Sequence, residues 1–271
     1  MDRPVWAPAE LDLDRPNAAR MYDYYLGGSH NFAVDRELAA KVLEAWPDMP
    51  RAAQANRAFL RRAVRFLAGQ GIRQFLDIGS GIPTVGNVHE VAQDAAPDAR
   101  VVYVDTDPVA VTHSRALLDG DGRTAVVEAD GREPEALLVD PAVTGLLDLT
   151  RPVGLLMVAL LHFVPDDTDP HGILTRYAAL LAPGSWLVVS HGTADNTPSV
   201  SKMAEHYRET ATPLRPRTKD ELAELLRDVE LVEPGVAFLP AWRPDHPEDV
   251  GSDVEWPGAY GAVGRLTRAA G

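Results

Sequence analysis

The sequence predicts a doubly wound α/β fold, in which a mostly parallel sheet carries helices on both faces. After Gly71, short apolar runs and helical patterns alternate five times, which is typical of a parallel sheet. The fourth run, residues 152–161, is apolar nearly throughout, as expected for a strand buried on both faces. The last two apolar runs have no helical pattern between them, so we expect an antiparallel strand at the sheet edge.

Each strand is predicted from a short apolar run, and each helix from an apolar stripe that repeats every three to four residues. The first five strands are expected at 73–78, 99–105, 124–130, 152–161 and 185–191. Helices are expected between them at 84–96, 108–118, 134–139 and 172–181. The tail is expected to form helices at 199–210 and 218–228 and strands at 229–235 and 259–266. The Pro- and Asp-rich stretch 240–257 reads as a surface loop.

The N-terminal quarter of the chain has a different, wholly helical pattern. Apolar residues recur at helical spacing up to Leu67, and the pair Gly27-Gly28 interrupts the pattern. Residues 1–16 are Pro-rich and acidic, which predicts an extended arm. We therefore expect an arm at 1–16, a helical segment at 17–70 and an α/β domain at 71–271.

Composition excludes several classes of function. The formal net charge is −14, from 40 acidic and 26 basic side chains, which disfavours nucleic acids and anionic membranes as partners. The chain contains no cysteine, so it can form neither a disulfide framework nor a thiolate metal site. Its N-terminus lacks the apolar core of a signal peptide, and its longest apolar run is too short to cross a bilayer. We expect a cytoplasmic protein.

The segment "FLDIGSGIPT" is the candidate ligand-binding turn. It follows the first predicted strand, and ligands of doubly wound sheets bind beyond the carboxyl ends of the strands. Gly79 and Gly81 allow a ligand to approach the main chain closely. A dinucleotide fingerprint would need a third glycine where Thr84 stands. The negative charge of Asp77 would also oppose a pyrophosphate at this turn.

A positively charged nucleoside without phosphate suits these residues better. S-adenosylmethionine carries an ammonium group that Asp77 can face, directly or through water. Asp105 ends the second predicted strand and can accept hydrogen bonds from both ribose hydroxyls, with Asp107 as a second candidate. Asp130 follows the third strand, with Gly131 and Arg132 beside it, near the expected adenine edge. Three acidic strand ends in succession favour this cofactor over NAD.

Several sequence blocks resemble the bacterial S-adenosylmethionine-dependent methyltransferase family that was long catalogued as a domain of unknown function. The resemblance runs from about residue 15 to 265. It rests on "ARMYDYYLGGSHNFAVDRE", "ANRAFLRRAVRFL", "QFLDIGSGIPTVGNVHEVAQ", "ARVVYVDTDP", "LLHFVPD", "LAPGSWLVVSHGT", "LVEPG" and "GAVGR". The blocks "YDYYLGG" and "FLDIGSGIPT" together are specific, whereas the glycine-rich turn alone is not.

The resemblance implies a class I, Rossmann-like methyltransferase with a seven-stranded sheet and an N-terminal helical lid over the cofactor. It implies that the cofactor site includes Gly79, Ser80, Gly81, Asp105, Thr106 and Asp130, with Tyr22, Tyr25, Gly27, Gly28 and Asn31 as lid residues. Ser80 and Thr106 depart from the threonine and asparagine that are more usual in the family, and a glycine follows Asp130. These departures leave the expected cofactor unchanged and say nothing of the substrate.

Two histidines follow predicted strands and are candidates for catalysis. His162 follows the fourth strand, and its ordinary pKa of about 6.5 suits a general base; a packing role is an equal alternative. His191, at the end of the fifth strand, has the same ambiguity. The acidic residues Asp166, Asp167 and Asp169 favour helix capping over calcium binding, and we expect no metal site.

The sequence favours a methyltransferase that acts on an unidentified small-molecule acceptor. Two alternatives stay open: a protein that binds the cofactor without catalysis, such as a sensor, and an NAD-dependent oxidoreductase. Asp77 and Thr84 disfavour the oxidoreductase. The acceptor and the oligomeric state are not readable from the sequence.

Overall fold

The fold is a mixed sheet between layers of helices, as predicted. The computed structural model describes residues 15–83, 86–118, 120–193, 195, 198–210, 213–250, 254 and 258–267. Nearly all of the predicted N-terminal arm, and Thr84 of the glycine-rich turn, lie outside the described residues. None of the described helices is long and apolar enough to cross a membrane.

The sheet has eight strands, whose bounds are β1 Gln74–Ile78, β2 Arg100–Asp105, β3 Thr124–Glu128, β4 Gly154–Val158, β5 Trp186–Gly192, β6 Val229–Leu231, β7 Ala237–Phe238 and β8 Ala259–Leu266. Their order across the sheet is β3-β2-β1-β4-β5-β8-β6, with the short β7 also paired to β8. The strands from β3 to β5 are all parallel. The antiparallel strand predicted for this end of the sheet is β8, which lies between β5 and the outermost strand β6.

Helices cover both faces of the sheet and one of its ends. In chain order they are α1 Ala18–Tyr25, α2 Ala33–Ala45, α3 Met49–Gly69, α4 Val88–Ala95, α5 Pro108–Leu118, α6 Pro134–Leu137, α7 Pro141–Leu146, α8 Pro170–Leu180, α9 Pro198–His206 and α10 Lys219–Leu225. The sequence pattern gave no sign of α7, which Asp140 caps by accepting a hydrogen bond from the Ala142 N–H at 2.7 Å. The other predicted helices are confirmed with small differences at their ends.

The strand register brings the candidate residues to one edge of the sheet. Asp77 of β1 is paired with Tyr103 of β2, so the carboxyl ends of the two strands lie side by side. Asp105 ends β2 opposite Glu128 of β3. Parallel strands necessarily present their carboxyl ends at the same edge, and this edge carries the candidate site.

A separate helical core covers that edge. Apolar residues of α1, α2 and the start of α3 pack together with three residues that follow β5, namely Val200, Met203 and Tyr207. The predicted apolar stripe of α3 faces the other way and packs on the sheet, where Phe59 and Val64 are fully buried. Helix α3 thus belongs to both layers, and the division of the chain at residue 70 stays a prediction.

The stretch predicted as a surface loop, residues 240–257, contains a fully buried residue, Trp242. Trp242 has no exposed surface and packs edge-on against Phe59 and Phe66. The guanidinium of Arg62, on α3, donates hydrogen bonds to the carbonyls of Leu239 and Trp242, at 2.6 and 3.1 Å. The described first part of the loop is therefore packed against the sheet layer.

Candidate functional site

A cavity of about 410 Å³ lies between the carboxyl edge of the sheet and the helical core. Its size is that of a site for a drug-sized ligand. Most of the predicted site residues line it, namely Asp77, Gly79, Ser80, Gly81, Asp105, Thr106, Asp130, Gly131, Tyr22 and His162. Tyr25, Gly27 and Asn31 are not among its lining residues.

The glycine-rich turn forms one wall of the cavity. Gly79 and Gly81 have φ angles of +68° and +66°, a left-handed conformation that residues with a Cβ rarely adopt. The N–H groups of Gly79 and Ser80 both donate to the carbonyl of Val104, at 2.8 and 3.1 Å. A Cβ on Gly79 would lie only 2.7 Å from Cδ1 of Leu160, which also lines the cavity. The turn therefore offers bare main chain to a ligand.

Asp105 is held at the tip of β2 by main-chain donors. Its Oδ2 accepts a hydrogen bond from the Gly81 N–H at 2.7 Å, and its Oδ1 accepts one from the Asp107 N–H at 2.8 Å. Burial raises the pKa of Asp105, while these hydrogen bonds oppose the rise. Each carboxylate oxygen keeps a second lone pair. The side chain can therefore hold the turn and still accept hydroxyl donors from a ligand.

Asp77 is a buried carboxylate with no hydrogen-bond donor among the described residues. Burial raises its pKa from 3.8 to about 7; the charge of Arg57 opposes this rise, and the charge of Asp105 adds to it. An ionised group in this position is costly unless a cation pairs with it. The carboxylate of Asp77 is thus suited to pair with a positively charged group of a ligand.

Arg57, on α3, is a site residue that the sequence reasoning missed. It lines the cavity, and its Nη2 donates to the carbonyl of Gly86 at 2.9 Å. Its buried Nε has no hydrogen-bond partner among the described residues. An unsatisfied guanidinium N–H beside a ligand cavity is suited to a carboxylate. The helical pattern of "ANRAFLRRAVRFL" gave no sign of this role.

Asp130 occupies the third strand end, as predicted, but its carboxylate is already paired. Arg132 forms a bidentate ion pair with it, with Nε at 2.9 Å from both oxygens and Nη2 at 2.5 Å from Oδ2. Hydrogen bonding to Arg132 holds the pKa of Asp130 below its ordinary value. A Cβ on the neighbouring Gly131 would lie 2.1 Å from Cγ2 of Ile78. Close packing of the main chain therefore requires glycine at position 131.

Tyr22 belongs to a hydrogen-bond chain that connects the helical core to the sheet. Its hydroxyl donates to the Ala53 carbonyl at 3.0 Å and accepts from Nδ2 of Asn56 at 2.9 Å. Oγ of Ser190, on β5, donates to Oδ1 of Asn56 at 2.6 Å. The same Oγ accepts from the N–H of Ala159, a residue with φ of +56° just after β4. This chain fixes the position of α1 relative to the ends of β4 and β5.

The remaining predicted lid residues support the loop between α1 and α2. Tyr25 is buried in the helical core. The side chain of Asn31 donates to Oδ2 of Asp23 at 2.8 Å. Gly27 has a φ of +80° at the end of α1, and a Cβ on Gly28 would lie 2.0 Å from Oδ1 of Asp23. Their cofactor-binding role stays a prediction; the structure packs Tyr25 in the helical core and holds Asn31 against α1.

Arg20 ties the helical core to the end of β2. Its Nε lies 3.5 Å from Oδ1 of Asp35 and 3.7 Å from Oδ2 of Asp107, and all three side chains are buried. Of the two candidates for the ribose hydroxyls, Asp105 lines the cavity and Asp107 does not; their role in binding stays a prediction. Burial raises the pKa of Asp107 to about 6, against the influence of the Val109 N–H and Arg20. This ion pair holds α1 over the cavity.

His162 and His191 differ in which ring nitrogen can accept a hydrogen bond. Nδ1 of His162 accepts from the Gly192 N–H at 3.1 Å, so in the neutral ring the proton lies on Nε2. Burial, His191 and Arg217 hold the pKa of His162 well below its ordinary value. Nδ1 of His191 lies 2.8 Å from the Gly192 carbonyl, and Nε2 lies 2.9 Å from Nη1 of Arg217. His191 is therefore neutral and fixed in place, with a pKa lowered by burial to about 3.

The acidic cluster after β4 forms ion pairs and a helix cap. Asp166 pairs with Arg215 at 3.2 Å and with the buried Arg217 at 2.5 Å. Asp169 caps α8 by accepting from the Gly172 N–H at 2.9 Å. Among the described residues no group of three potential metal ligands is found.

The end of the cavity that faces the helical core is apolar. We call this surface the apolar wall; it consists of Tyr22, Leu26, Trp46, Met49, Phe163, Met203, Tyr207 and Leu214. The ring of Phe163 contacts the rings of His162 and Tyr207, with centroids 4.4 and 5.9 Å apart. The charged side chains of the described cavity lining are Arg57, Asp77, Asp105, Asp130 and Arg132. All five lie on the strand ends or on α3, so the cavity has a charged end and an apolar end.

Comparison with solved structures finds proteins that are similar to this chain over nearly their whole length. A candidate methyltransferase from Thermobifida fusca YX is 43% identical over 98% of this chain and 100% of that one, with a TM-score of 0.91. A DUF574 family protein from Streptomyces avermitilis MA-4680 is also 43% identical, over 94% and 99% of the two chains, with a TM-score of 0.89. Human N-acetylserotonin methyltransferase, solved with S-adenosylmethionine, is 16% identical with a TM-score of 0.51 over 93% and 63% of the chains. It shows the fold alone.

The family comparison covers almost the whole chain. The model described as S-adenosyl methyltransferase matches residues 4–267. None of the curated proteins matches the chain. The predicted resemblance and the class I methyltransferase fold are thereby confirmed. On its sequence and on its agreement with the two solved relatives, the chain belongs to the S-adenosyl methyltransferase family.

Proposed function

We propose that this chain is an S-adenosylmethionine-dependent methyltransferase whose acceptor is a small molecule. One observation carries the proposal: a single cavity joins the carboxylates of the strand ends to the apolar wall. A cofactor at the charged end and an acceptor at the apolar end would then share one cavity. Such proximity is the main requirement of a displacement that disperses charge.

The residues of the charged end fit this cofactor. The unpartnered Nε of Arg57 suits the carboxylate of its methionine part, and Asp77 suits the ammonium group. Asp105 has free lone pairs for the ribose hydroxyls, and the left-handed Gly79 and Gly81 leave room beside the main chain. When bound, the cofactor supplies an electrophilic methyl group on a sulfonium. Asp130, already paired with Arg132, would border the adenine.

A catalytic role for His162 stays a proposal. The hydrogen bonds of its ring favour a hydrogen-bond donor over the general base expected from the sequence. Its lone pair on Nδ1 is engaged by the Gly192 N–H, so a base would have to give up that hydrogen bond. Its Nε2–H has no acceptor among the described residues, and the ring borders the cavity. The residue is therefore better suited to donate a hydrogen bond than to remove a proton.

Calorimetry with three ligands tests the cofactor half of the proposal. S-adenosylmethionine and S-adenosylhomocysteine should bind in the micromolar range, whereas NADH should not bind measurably. Binding of NADH alone would favour the oxidoreductase. Methyl transfer from labelled cofactor to a mixture of small molecules, above the uncatalysed rate, separates an enzyme from a protein that only binds the cofactor.

A further inference from the structure

The apolar wall and His162 together restrict the chemistry of the acceptor. We propose that this end of the cavity binds a flat, largely apolar molecule with an acidic hydroxyl group, and that the Nε2–H of His162 donates a hydrogen bond to its ionised oxygen. The inference rests on the proposed function, because it assumes a methyl donor at the charged end. It names the acceptor class that the proposed function leaves open.

The lining of the wall argues for an apolar framework. Trp46, Tyr207 and Phe163 supply aromatic surface, and Met49 and Met203 supply flexible thioether side chains that adapt to ring-shaped ligands. No charged side chain of the described lining belongs to the wall. A sugar, an amino acid or a phosphorylated acceptor would leave its polar groups unpaired there, which is costly.

The polar groups beside the wall are engaged within the protein. The hydroxyl of Tyr22 is occupied by Ala53 and Asn56, and Oγ of Ser190 by Asn56 and Ala159. His191 is held by Gly192 and Arg217, as described above. The Nε2–H of His162 is therefore left as a side-chain donor beside the wall, in addition to the indole N–H of Trp46 and the hydroxyl of Tyr207 within it.

Donor groups with no histidine base beside them favour an acceptor that is already ionised. Neither histidine offers a free lone pair, and both carry lowered pKa values because they are buried. The acceptor's proton would thus leave to solvent before transfer. The oxygen's electron pair then forms the O–CH₃ bond, the S–CH₃ bond breaks, and its electron pair stays on sulfur as a neutral thioether. An amine would instead present its own N–H groups to a donor, which is a mismatch.

Matched probes of the same shape distinguish these cases without turnover. We would titrate the protein, saturated with S-adenosylhomocysteine, with 4-nitrophenol, 4-nitroaniline and 4-hydroxybenzoate. The visible absorbance of 4-nitrophenolate reports the pKa of the bound phenol directly. We expect 4-nitrophenol to bind about tenfold tighter than 4-nitroaniline, and the charged 4-hydroxybenzoate to bind most weakly.

Two substitutions isolate the hydrogen bond from His162. Both H162Q and H162L take away the imidazole acceptor of the Gly192 N–H, but only glutamine keeps an N–H where Nε2 lies. The pKa of bound 4-nitrophenol should rise by about one unit in H162L and stay close to the wild-type value in H162Q. A general base would predict equal loss of transfer in the two variants.

The outcomes separate this inference from the proposed function. Equal pKa values of the bound phenol in wild type and H162L would overturn it, as would tighter binding of 4-nitroaniline. If S-adenosylhomocysteine binds but no apolar phenol binds at millimolar concentration, the acceptor class is wrong and the cofactor site stands. If S-adenosylhomocysteine itself does not bind, the proposed function fails.

Discussion

The buried carboxylate of Asp77 predicts that cofactor affinity depends on pH. With a pKa of about 7 in the free protein, Asp77 is mostly ionised at pH 8 and mostly protonated at pH 6. A ligand with an ammonium group binds the ionised form, so protonation opposes binding. The affinity for S-adenosylhomocysteine should therefore fall about tenfold from pH 8 to pH 6.

The same ionisation should destabilise the free protein. Burial raises the pKa of Asp77 from 3.8 to about 7, and each pKa unit corresponds to about 1.4 kcal/mol, so ionisation costs as much as about 4 kcal/mol relative to the unfolded chain. The folded form holds the proton more tightly. Protonated Asp77 therefore contributes to the free energy of unfolding at low pH, and this contribution is lost as pH rises from about 4 to about 7.

The substitution D77N tests both statements at once. Asparagine removes the charge, and no described hydrogen bond to the carboxylate is lost with it. At pH 8 the variant should be more stable in urea unfolding, by as much as about 4 kcal/mol, and should bind S-adenosylhomocysteine at least about tenfold more weakly. D94N, on the exposed face of α4, is the matched control and should change neither quantity.

Two results would refute this reasoning. The first is a dissociation constant that stays flat between pH 6 and pH 8 in the wild type. The second is a D77N variant that is less stable than the wild type at pH 8, because ionised Asp77 would then not lower the free energy of unfolding.

Calorimetry in buffers of different ionisation enthalpy counts the protons that Asp77 releases when the ligand binds. This number should approach one at pH 6 (about 0.9).

Three further predictions concern other parts of the molecule. R57M should weaken S-adenosylhomocysteine at least about tenfold in calorimetry but leave 5′-methylthioadenosine, which has no carboxylate, unaffected; equal losses would argue against a carboxylate contact. R20M should lower the free energy of unfolding in urea by about 3 kcal/mol, because it leaves the buried Asp107 without its cation, and an unchanged midpoint would contradict this. G131A should lower it by about 1 to 3 kcal/mol through overlap with Ile78, whereas G145A, whose Cβ meets nothing within 4 Å, should not.

The strand ends could be predicted because their signal is local. An apolar run with an acidic residue at or next to its end identifies both the strand and the position of that side chain at the carboxyl edge. Asp77 and Asp105 came from this pattern alone, and parallel pairing then brought them together. The pattern could not tell that Arg132 neutralises Asp130, because that ion pair depends on the turn after β3.

The helical side of the site could not be predicted in the same way. Tyr22 and Tyr25 lie three residues apart on one helix, yet the first lines the cavity and the second is buried in the helical core. Periodicity identifies the buried face of a helix but not what covers it. Asn56 and Arg57 interrupt the regular apolar pattern of α3, so the sequence predicts that they lie on the surface. Only the packing of α3 between the helical core and the sheet places them at the cavity.

The loop after β7 shows the same dependence on distant contacts. Its Pro- and Asp-rich composition predicts exposure, but Arg62, 180 residues earlier in the chain, binds the carbonyl of Trp242. No local pattern contains that information. The one sign in the sequence was Trp242 itself, a large aromatic residue within a run of turn-forming residues.

The division of the cavity into two ends bears on how such a protein changes over evolution. The apolar wall is contributed by side chains on α1, α3 and α9 and by the segments after α1, α2, β4 and α9 and before α10, whereas the proposed cofactor contacts lie mainly at strand ends. Substitutions in the wall would thus change acceptor preference while the proposed nucleoside-binding residues stay the same. Paralogues that diversify their substrates would be expected to vary at positions such as Trp46, Met203 and Leu214, and to keep Asp77 and Asp105.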